Sequence, residues 1–207
     1  MRKSFYVWTR DLHLYFGLFL CPFVLVFAVS TVILNHPGLA SESRSTERAV
    51  AGIAIPAGLE RLEGMERIRA LQPVLRQAGV SGEVEWITYL PRESRMIVPL
   101  AKPGETSTLE LDLKTRTATV RRTSSGLAGA LVYLHKMPGP HLVNIRGNWL
   151  WTELWRPFAD GTVCLLLFLS LSGIYLWAVL RAERRAGLLL LGAGFAIFTG
   201  LLYALAA

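Results

Sequence analysis

The hydrophobic and polar positions of this chain divide it into three long apolar blocks and one mixed central segment. The apolar blocks lie near residues 12–35, 159–180 and 187–206. Each block is long enough to cross a bilayer as a helix, since about 20 apolar residues span the hydrocarbon core. The mixed segment carries most of the charge and is long enough to fold as one small domain. The pattern therefore predicts a membrane protein with three transmembrane α-helices and an inserted domain.

Within the mixed segment, the period of the pattern changes from helical to extended. Residues 39–58 are small and polar, which is typical of a linker. Residues 59–79 repeat apolar side chains every three or four positions, which predicts a helix that Pro73 weakens or splits. Strands are predicted at residues 83–89, 94–100, 108–113 and 117–121, and a second, apolar helix at residues 126–136. A helix followed by an antiparallel meander indicates an α+β domain.

Short basic flanks orient the three predicted transmembrane helices. Arg2, Lys3 and Arg10 precede the first helix, and the tight turn after the second helix carries three further arginines. Both flanks are predicted to be cytoplasmic, because short loops rich in Lys and Arg stay on that side. The central domain and the C-terminus then lie outside the cytoplasm. A cleaved signal peptide is the alternative for the first block, although its apolar run is longer than the core of a signal peptide.

These patterns predict five segments along the chain. They are residues 1–36, the cytoplasmic N-terminus and first transmembrane helix; residues 37–158, the extracytoplasmic α+β domain; residues 159–180, the second transmembrane helix; residues 181–186, a cytoplasmic turn; and residues 187–207, the third transmembrane helix. Trp149, Trp151 and Trp155 crowd the approach to the second helix, as expected of an interfacial belt. Asp160 is predicted at the start of that helix, where it could cap the helix or meet a buried cation.

Histidines supply the candidate chemistry of this chain. His13 and His36 bracket the first apolar block, and an α-helix between them would be roughly 34 Å long. That length is about one hydrocarbon core plus a little interface, so one imidazole is predicted near each face of the membrane. Imidazole is the commonest protein ligand for metals and also ligates haem iron. The placement of His13 and His36 therefore indicates candidate ligands as well as a membrane topology.

Several stretches of the chain resemble the PepSY-associated transmembrane proteins of bacteria. The stretches that carry the resemblance are RDLHLYFGL at residues 10–18, STVILNH at residues 30–36, Leu134-His135, Trp155, Asp160 and SGIYLW at residues 172–177. The segment LELDLKTRT at residues 109–117 is similar to the strand, turn and return strand of a PepSY-type domain. In that turn, Arg116 stands where the family's pattern has Gly.

The resemblance implies a location in the bacterial inner (cytoplasmic) membrane and a redox cofactor. The family includes membrane-bound ferric-siderophore reductases that carry b-type haems on histidines of their transmembrane helices. By resemblance, His13, His36 and His135 are candidate ligands of haem iron. Other members of the family have no assigned activity, so the resemblance leaves open whether this chain is an enzyme.

A bis-histidine haem needs two imidazoles at the same depth. His135 and His141 precede the second transmembrane helix on the outer side and could fold back to the level of His36. The predicted pair is therefore His36 with His135, and His141 is held in reserve. His13 has no histidine partner on the cytoplasmic side, so it would need a second subunit or another ligand type, or it is an interfacial anchor.

Side chains near this outer pair could complete a haem site. Leu131, Leu134 and the tryptophans before the second helix could wall the macrocycle. Arg146 or Arg156 could pair with its propionates, because arginine binds carboxylates in a bidentate manner.

Two functions follow from these predictions. The first is a small b-haem electron-transfer protein of the inner membrane, a haem-dependent ferric (siderophore) reductase that reduces a periplasmic ferric chelate, with quinol as the candidate reductant. The alternative is a non-catalytic PepSY-type membrane protein that binds a partner and regulates or assembles a larger membrane complex. The expected partners are the lipid bilayer and either a homo-oligomer or that larger complex. Nucleic acid is not expected for an extracytoplasmic domain.

Overall fold

The computed structural model describes residues 3–39, 43–137, 139–180 and 183–206. Its helices are α1 Lys3–Asn35, α2 Gly64–Gln77, α3 Gly126–Lys136, α4 Leu150–Leu180 and α5 Arg184–Ala206. Its strands are β1 Arg44–Ala51, β2 Glu83–Val84, β3 Thr88–Leu90, β4 Arg95–Lys102, β5 Glu105–Asp112 and β6 Thr117–Ser124. The chain divides into two compact units, one of residues 1–21 with 161–207 and the other of residues 22–160.

Three helices are long and apolar enough to cross a membrane, as the sequence predicts. They are α1, α4 and α5, with mean hydropathies of 2.5, 2.4 and 2.2 over their most apolar windows. The start of the second apolar helix differs from the prediction, because α4 begins at Leu150 and Asp160 lies well inside it. The predicted capping role of Asp160 is therefore wrong. The first turns of α4 include the charged Glu153 and Arg156, which an apolar-run criterion excludes from the helix.

The sheet domain is α+β, and its six strands form one antiparallel sheet in the order β1-β6-β5-β4-β2, with β3 also paired to β4. The buried positions alternate along β5, as expected when one face of a strand packs on a core. The amphipathic helix α2 supplies the other side of that core. The largest buried side chains of the core are Ile53, Leu59, Ile68, Leu71, Val74, Met96, Leu100, Leu109 and Leu111.

Helix α2 is continuous, so the predicted break at Pro73 is wrong. Pro73 lies inside the helix Gly64–Gln77, although a proline there removes one backbone hydrogen bond. Ile68, Leu71 and Val74 are each no more than 1% exposed, and their burial against the sheet stabilises the helix across this defect.

The predicted linker at residues 39–58 is partly wrong, because it contains the edge strand β1. This strand pairs with β6 over its whole length, from Arg44 opposite Ser124 to Ala51 opposite Thr117. Most of its side chains are exposed, so it shows no alternation of apolar and polar positions. Its exposed charges are typical of edge strands, which avoid pairing with other chains in this way.

The single strand predicted at residues 83–89 is two strands, and Pro99 on the neighbouring strand explains the break. The Glu85 N–H donates to the Pro99 carbonyl at 3.0 Å. Proline has no N–H to return, so the ladder is interrupted at this position. Residues 85–87 therefore leave the sheet between β2 and β3.

Two arginines connect the sheet to the end of α2. The guanidinium of Arg48 on β1 donates to the Ala78 carbonyl at 2.7 Å, and that of Arg122 on β6 donates to the Gly79 carbonyl at 2.9 Å. Carbonyls at the end of a helix have no partner within the helix and carry partial negative charge. The two cations therefore satisfy and stabilise the C-terminus of α2.

A glycine seats the β4–β5 hairpin against α3. Gly104 has a φ of +77°, and a Cβ at this position would lie 2.8 Å from the Gly126 carbonyl oxygen and 3.2 Å from the Ala130 Cβ. The Ser125 N–H donates to the Gly104 carbonyl at 2.9 Å. The tip of the hairpin thus fixes the start of α3, which carries His135 at its other end.

The turn between β5 and β6 places a side chain where glycine is favoured. Arg116 has a φ of 54°, in the left-handed region. The Asp112 carboxylate accepts the backbone N–H groups of Lys114 at 2.8 Å and Thr115 at 2.9 Å, and these bonds keep the turn closed. The hydrogen bond from Thr115 is the main reason that the pKa of Asp112 is lowered.

We expect Arg116→Gly to raise the free energy of unfolding by about 1 kcal/mol, because glycine adopts a left-handed conformation without steric cost. Thermal unfolding of the full chain in detergent micelles measures the change. Lys114→Gly is the matched control in the same turn, at a residue without a positive φ, and should be neutral or destabilising. An equal effect of the two substitutions would contradict the prediction.

Candidate functional site

The first candidate site residue, His13, is held by a serine within the unit of residues 1–21 and 161–207. Its Nδ1 lies 2.8 Å from the Ser172 Oγ, which is on α4. Ser172 is buried, and its Oγ also lies 3.2 Å from the Leu169 carbonyl oxygen, to which it donates. A Cβ on Gly173 would lie 3.5 Å from the His13 Cε1, an ordinary van der Waals distance, so the imidazole lies close to the backbone of α4.

The second candidate, His135, is held in the same way within the unit of residues 22–160. Its Nδ1 lies 2.8 Å from the Ser30 Oγ on α1, and that hydroxyl donates to the Phe27 carbonyl at 2.8 Å. Ser30 is fully buried, whereas His135 remains exposed. The Phe27 ring meets the imidazole edge to face, with 5.5 Å between the ring centroids.

We infer the same tautomer for both histidines. A serine hydroxyl has one proton, which it can donate either to the backbone carbonyl or to the histidine Nδ1, because both lie within hydrogen-bond distance of each Oγ. When the hydroxyl donates to the carbonyl, the histidine Nδ1 is the donor to the serine oxygen. In a neutral imidazole the other nitrogen, Nε2, carries the free lone pair. An imidazole oriented through one nitrogen with a lone pair on the other is the arrangement found in histidine ligands of metals.

No hydrogen bond or ring contact joins His36 and His135 among the described residues, and their pairing stays a prediction. His36 is exposed at the end of α1, where its N–H donates to the Val32 carbonyl at 3.0 Å. It lies six residues beyond Ser30, which is about 9 Å along a helix and about 120° around it. His135 contacts α1 at the level of Ser30, so His36 points from a different level and a different face.

The other predicted site residues lie in or near the loop before α4. His141 is exposed. The Arg146 Nε donates to the Pro140 carbonyl at 2.9 Å, so this guanidinium holds the loop. The Arg156 Nη1 lies 3.5 Å from the Glu153 Oε1 in an exposed ion pair. Both arginines thus already have partners in the folded chain.

An apolar groove lies beside the contact between His135 and Ser30. Its volume is about 300 Å³, and it includes the predicted wall residues Leu131 and Leu134. Its full lining is Pro22, Phe23, Val26, Phe27, Leu131, Leu134 and Trp155. We call this space the groove. A second space of about 270 Å³, the tryptophan cavity, shares Leu134 and Trp155 with it. The cavity is lined by Pro103, Tyr133, Leu134, Met137, Trp149, Trp151, Thr152 and Trp155.

Two carboxylates act on the tyrosine in the wall of the tryptophan cavity. Glu83 is 1% exposed; its Oε1 accepts the Gly147 N–H at 3.2 Å, and its Oε2 has no partner among the described residues. Burial raises the pKa of Glu85, and the neighbouring charge of Glu83 raises it further. Burial, followed by the charges of Glu83 and Glu85, raises the pKa of Tyr133 to about 12. Tyr133 therefore stays a neutral hydrogen-bonding phenol at physiological pH.

Sequence reasoning did not identify the serines as partners of the histidines. Ser30 and Ser172 lie inside apolar helices and begin two of the stretches that carry the family resemblance, and these two signals could have identified them. A buried hydroxyl in an apolar helix needs a partner, which is either its own backbone or another polar side chain. Among the described residues, no group of three or more His, Cys, Asp or Glu side chains is arranged to hold a metal ion.

Comparison with known proteins gives one match. A family model described as PepSY_TM-like matches residues 7–206, which is nearly the whole chain. No curated protein and no solved structure matches it.

We expect His135 to be protonated on Nδ1, because its serine partner donates elsewhere. Nitrogen NMR of the imidazole measures the tautomer directly. Ser30→Ala should remove the preference for Nδ1 and lower the free energy of unfolding by about 1 kcal/mol. Thr31→Val is the matched control, because the Thr31 hydroxyl donates to the same Phe27 carbonyl and is exposed. A change of tautomer in both variants, or in neither, would refute the assignment.

The raised pKa of Glu85 predicts a pH dependence of stability. The folded protein holds this proton to a higher pH than the unfolded chain, so stability falls as the pH rises from the ordinary carboxyl pKa through the raised value. Glu85→Gln should therefore raise Tm at about pH 8 and change it little at about pH 4. Glu110→Gln, on β5, is the control for the loss of a carboxylate from the same sheet. Equal effects of Glu85→Gln at both pH values would count against this explanation.

Proposed function

The chain belongs to the PepSY_TM-like family, and from this membership we propose that it is a small b-haem electron-transfer protein of the bacterial inner membrane. The observation that carries the proposal is the state of His13 and His135. The Nδ1 of each lies 2.8 Å from a serine Oγ, and in the inferred tautomer Nε2 carries the lone pair. A ligand of haem iron must offer such a lone pair. When bound to these nitrogens, a haem would supply one-electron transfer.

The groove supports the assignment of His135. Phe27 both lines the groove and meets the His135 ring, and Leu134 precedes His135 on α3. The apolar lining suits the face of a macrocycle and excludes water from it. Fixing the imidazole through Ser30 would orient its plane before a ligand arrives, which lowers the entropic cost of binding.

Each compact unit offers one serine-held imidazole. Residues 1–21 and 161–207 contain no histidine besides His13, and His36 lies away from the level of His135. A bis-histidine site at His13 would therefore draw its second imidazole from outside this unit, and we propose a second copy of the chain as its source. This supports a homo-oligomer as the functional form.

The proposed orientation places the sheet domain outside the cytoplasm, where the acceptor is a ferric chelate. Residues 37–158 contain 16 Lys and Arg against 12 Asp and Glu, and this positive balance favours approach of anionic chelates, because a positive surface raises their local concentration. On this proposal the protein acts as a ferric reductase, with a membrane quinol as the reductant.

We expect the purified full chain to show a Soret band and to give a b-type pyridine haemochrome. His135→Ala and His13→Ala should each lower the haem-to-protein ratio, because each removes an oriented lone pair. His141→Ala is the matched control, since this exposed histidine is held by neither serine, and its haem content should equal that of the wild type. His36→Ala tests the predicted pair with His135, and we expect little loss of haem.

A colourless protein that takes up no added haem would refute the electron-transfer proposal. That result would favour the alternative function, a non-catalytic membrane protein that binds a partner and regulates or assembles a larger complex. Loss of haem in His141→Ala to the same extent as in His135→Ala would refute the assigned ligands while leaving the cofactor in place.

A further inference from the structure

A polar pocket lies beside the end of α2, on the face of the sheet against which that helix packs. It is open to solvent, has a volume of about 370 Å³, and is lined by Thr46, Arg48, Gly79, Val120 and Arg122. We call this space the arginine pocket. A hydroxyl and two guanidinium groups thus line a single opening, and both kinds of group donate hydrogen bonds to phosphate.

The cations around the arginine pocket outnumber their acidic partners. The Arg122 Nε lies 3.2 Å from the Glu105 Oε1, and the Lys102 Nζ lies 3.0 Å from the same oxygen. Arg44 and Arg48, which lie on the same face of β1, form no ion pair in the part of the chain that the structure describes. One carboxylate therefore accompanies four cations, and this face keeps an excess of positive charge.

The opposite face of the same two strands has no such excess. Its charged side chains on β1 and β6 are Glu47 and Arg121, and the Arg121 Nη2 lies 3.1 Å from the Glu47 Oε2. The two charges on that face are therefore paired. The unpaired positive charge of β1 and β6 is confined to the face that carries the arginine pocket.

The strands that carry these arginines begin and end close to an apolar helix. β1 begins at Arg44, five residues after Leu39, so at most about 17 Å of extended chain separates the two. β6 ends opposite Arg44, and α3 follows it directly. From Gly126, α3 runs about 14 Å to His135, which contacts Ser30 of α1. Because α1 is long and apolar enough to span a bilayer, this end of the sheet lies near the depth of phospholipid headgroups.

We propose that the arginine pocket binds the phosphate of an anionic phospholipid and so holds this end of the sheet at the membrane surface. Arg48 binds a helix carbonyl through Nη2, and Arg122 uses Nη2 and Nε, so both guanidinium groups retain Nη1 as a donor. The exposed Thr46 hydroxyl provides a further donor. Each neighbouring helix carbonyl is already bonded to one of these cations, which offsets its partial negative charge.

A soluble phosphate ester would offer the same chemistry, and the position of the pocket favours the lipid. Anionic headgroups attract each Lys or Arg that lies close to a membrane surface, and the attraction falls off within a Debye length. A zwitterionic headgroup carries the same phosphate together with a cation, which the excess positive charge repels. The inference goes beyond the proposed function, because it requires neither haem nor electron transfer.

The test compares two short-chain phospholipids with the same acyl chains, the anionic phosphatidylglycerol and the zwitterionic phosphatidylcholine. Isothermal titration of the full chain in a neutral detergent, corrected by titration into detergent alone, gives both Kd values. We expect phosphatidylglycerol to bind about fivefold more tightly or better, because one charge at a lipid headgroup changes the affinity by about this factor.

Substitutions of two adjacent residues of β1 then locate the binding face. Thr46→Glu places a carboxylate next to both arginines and leaves their bonds to α2 intact, so it should weaken phosphatidylglycerol binding about fivefold. Thr46→Lys should tighten it by a similar factor. Ser45→Glu is the matched control, because this exposed residue points to the opposite face and undergoes the same change of charge. Its Kd should equal that of the wild type.

Equal Kd values for Thr46→Glu and Ser45→Glu would overturn the proposal, because attraction by net charge alone does not distinguish the two faces. Equal affinity of the wild-type protein for the two phospholipids would also overturn it, and that comparison needs no variant. Glycerol 1-phosphate separates the two sources of phosphate. If it binds as tightly as phosphatidylglycerol and responds equally to Thr46→Glu, the pocket is a site for soluble phosphate esters and the membrane source is wrong. None of these titrations depends on whether the protein contains haem.

Discussion

A polar side chain inside an apolar helix must find a hydrogen-bond partner, and the candidate chemistry of this protein depends on that constraint. Ser30 and Ser172 each lie within hydrogen-bond distance of a carbonyl of their own helix and of a histidine Nδ1. In the inferred tautomer, the serine accepts from Nδ1 and thereby fixes which nitrogen of the imidazole carries the proton. Two buried hydroxyl groups thus prepare His135 and His13 for any partner that needs a lone pair.

Much of the fold could be predicted from the sequence, because apolar and polar residues recur along most of its helices and strands with a clear periodicity. The three apolar helices, α3 and the strands β5 and β6 follow from runs and alternations that are visible in the chain. The edge strand β1 could not be predicted, because its side chains are polar on both faces and its stability comes from backbone pairing with β6. The break between β2 and β3 depends on Pro99, which is distant in sequence but adjacent in the sheet.

The candidate site could be predicted only in part, for a related reason. The sequence indicates His13 and His135 by their chemistry and their placement beside apolar blocks. It cannot indicate the serines that orient them, because Ser30 and His135 are 105 positions apart. The pairing of His36 with His135 stays a prediction. His36 lies six residues beyond Ser30, at a different level of α1 from the serine that contacts His135.

The two arginines at the end of α2 have a consequence for how the sheet domain opens. An edge strand usually frays alone, since it has only one neighbour. Here the Arg48 side chain on β1 donates to the Ala78 carbonyl at the end of α2. The Arg122 side chain on β6 donates to the carbonyl of the next residue, Gly79. Separation of β1 from the sheet would break the hydrogen bond of Arg48 and leave a carbonyl at the end of α2 without its donor. We therefore expect the strand and the helix terminus to exchange their amide hydrogens as one cooperative unit.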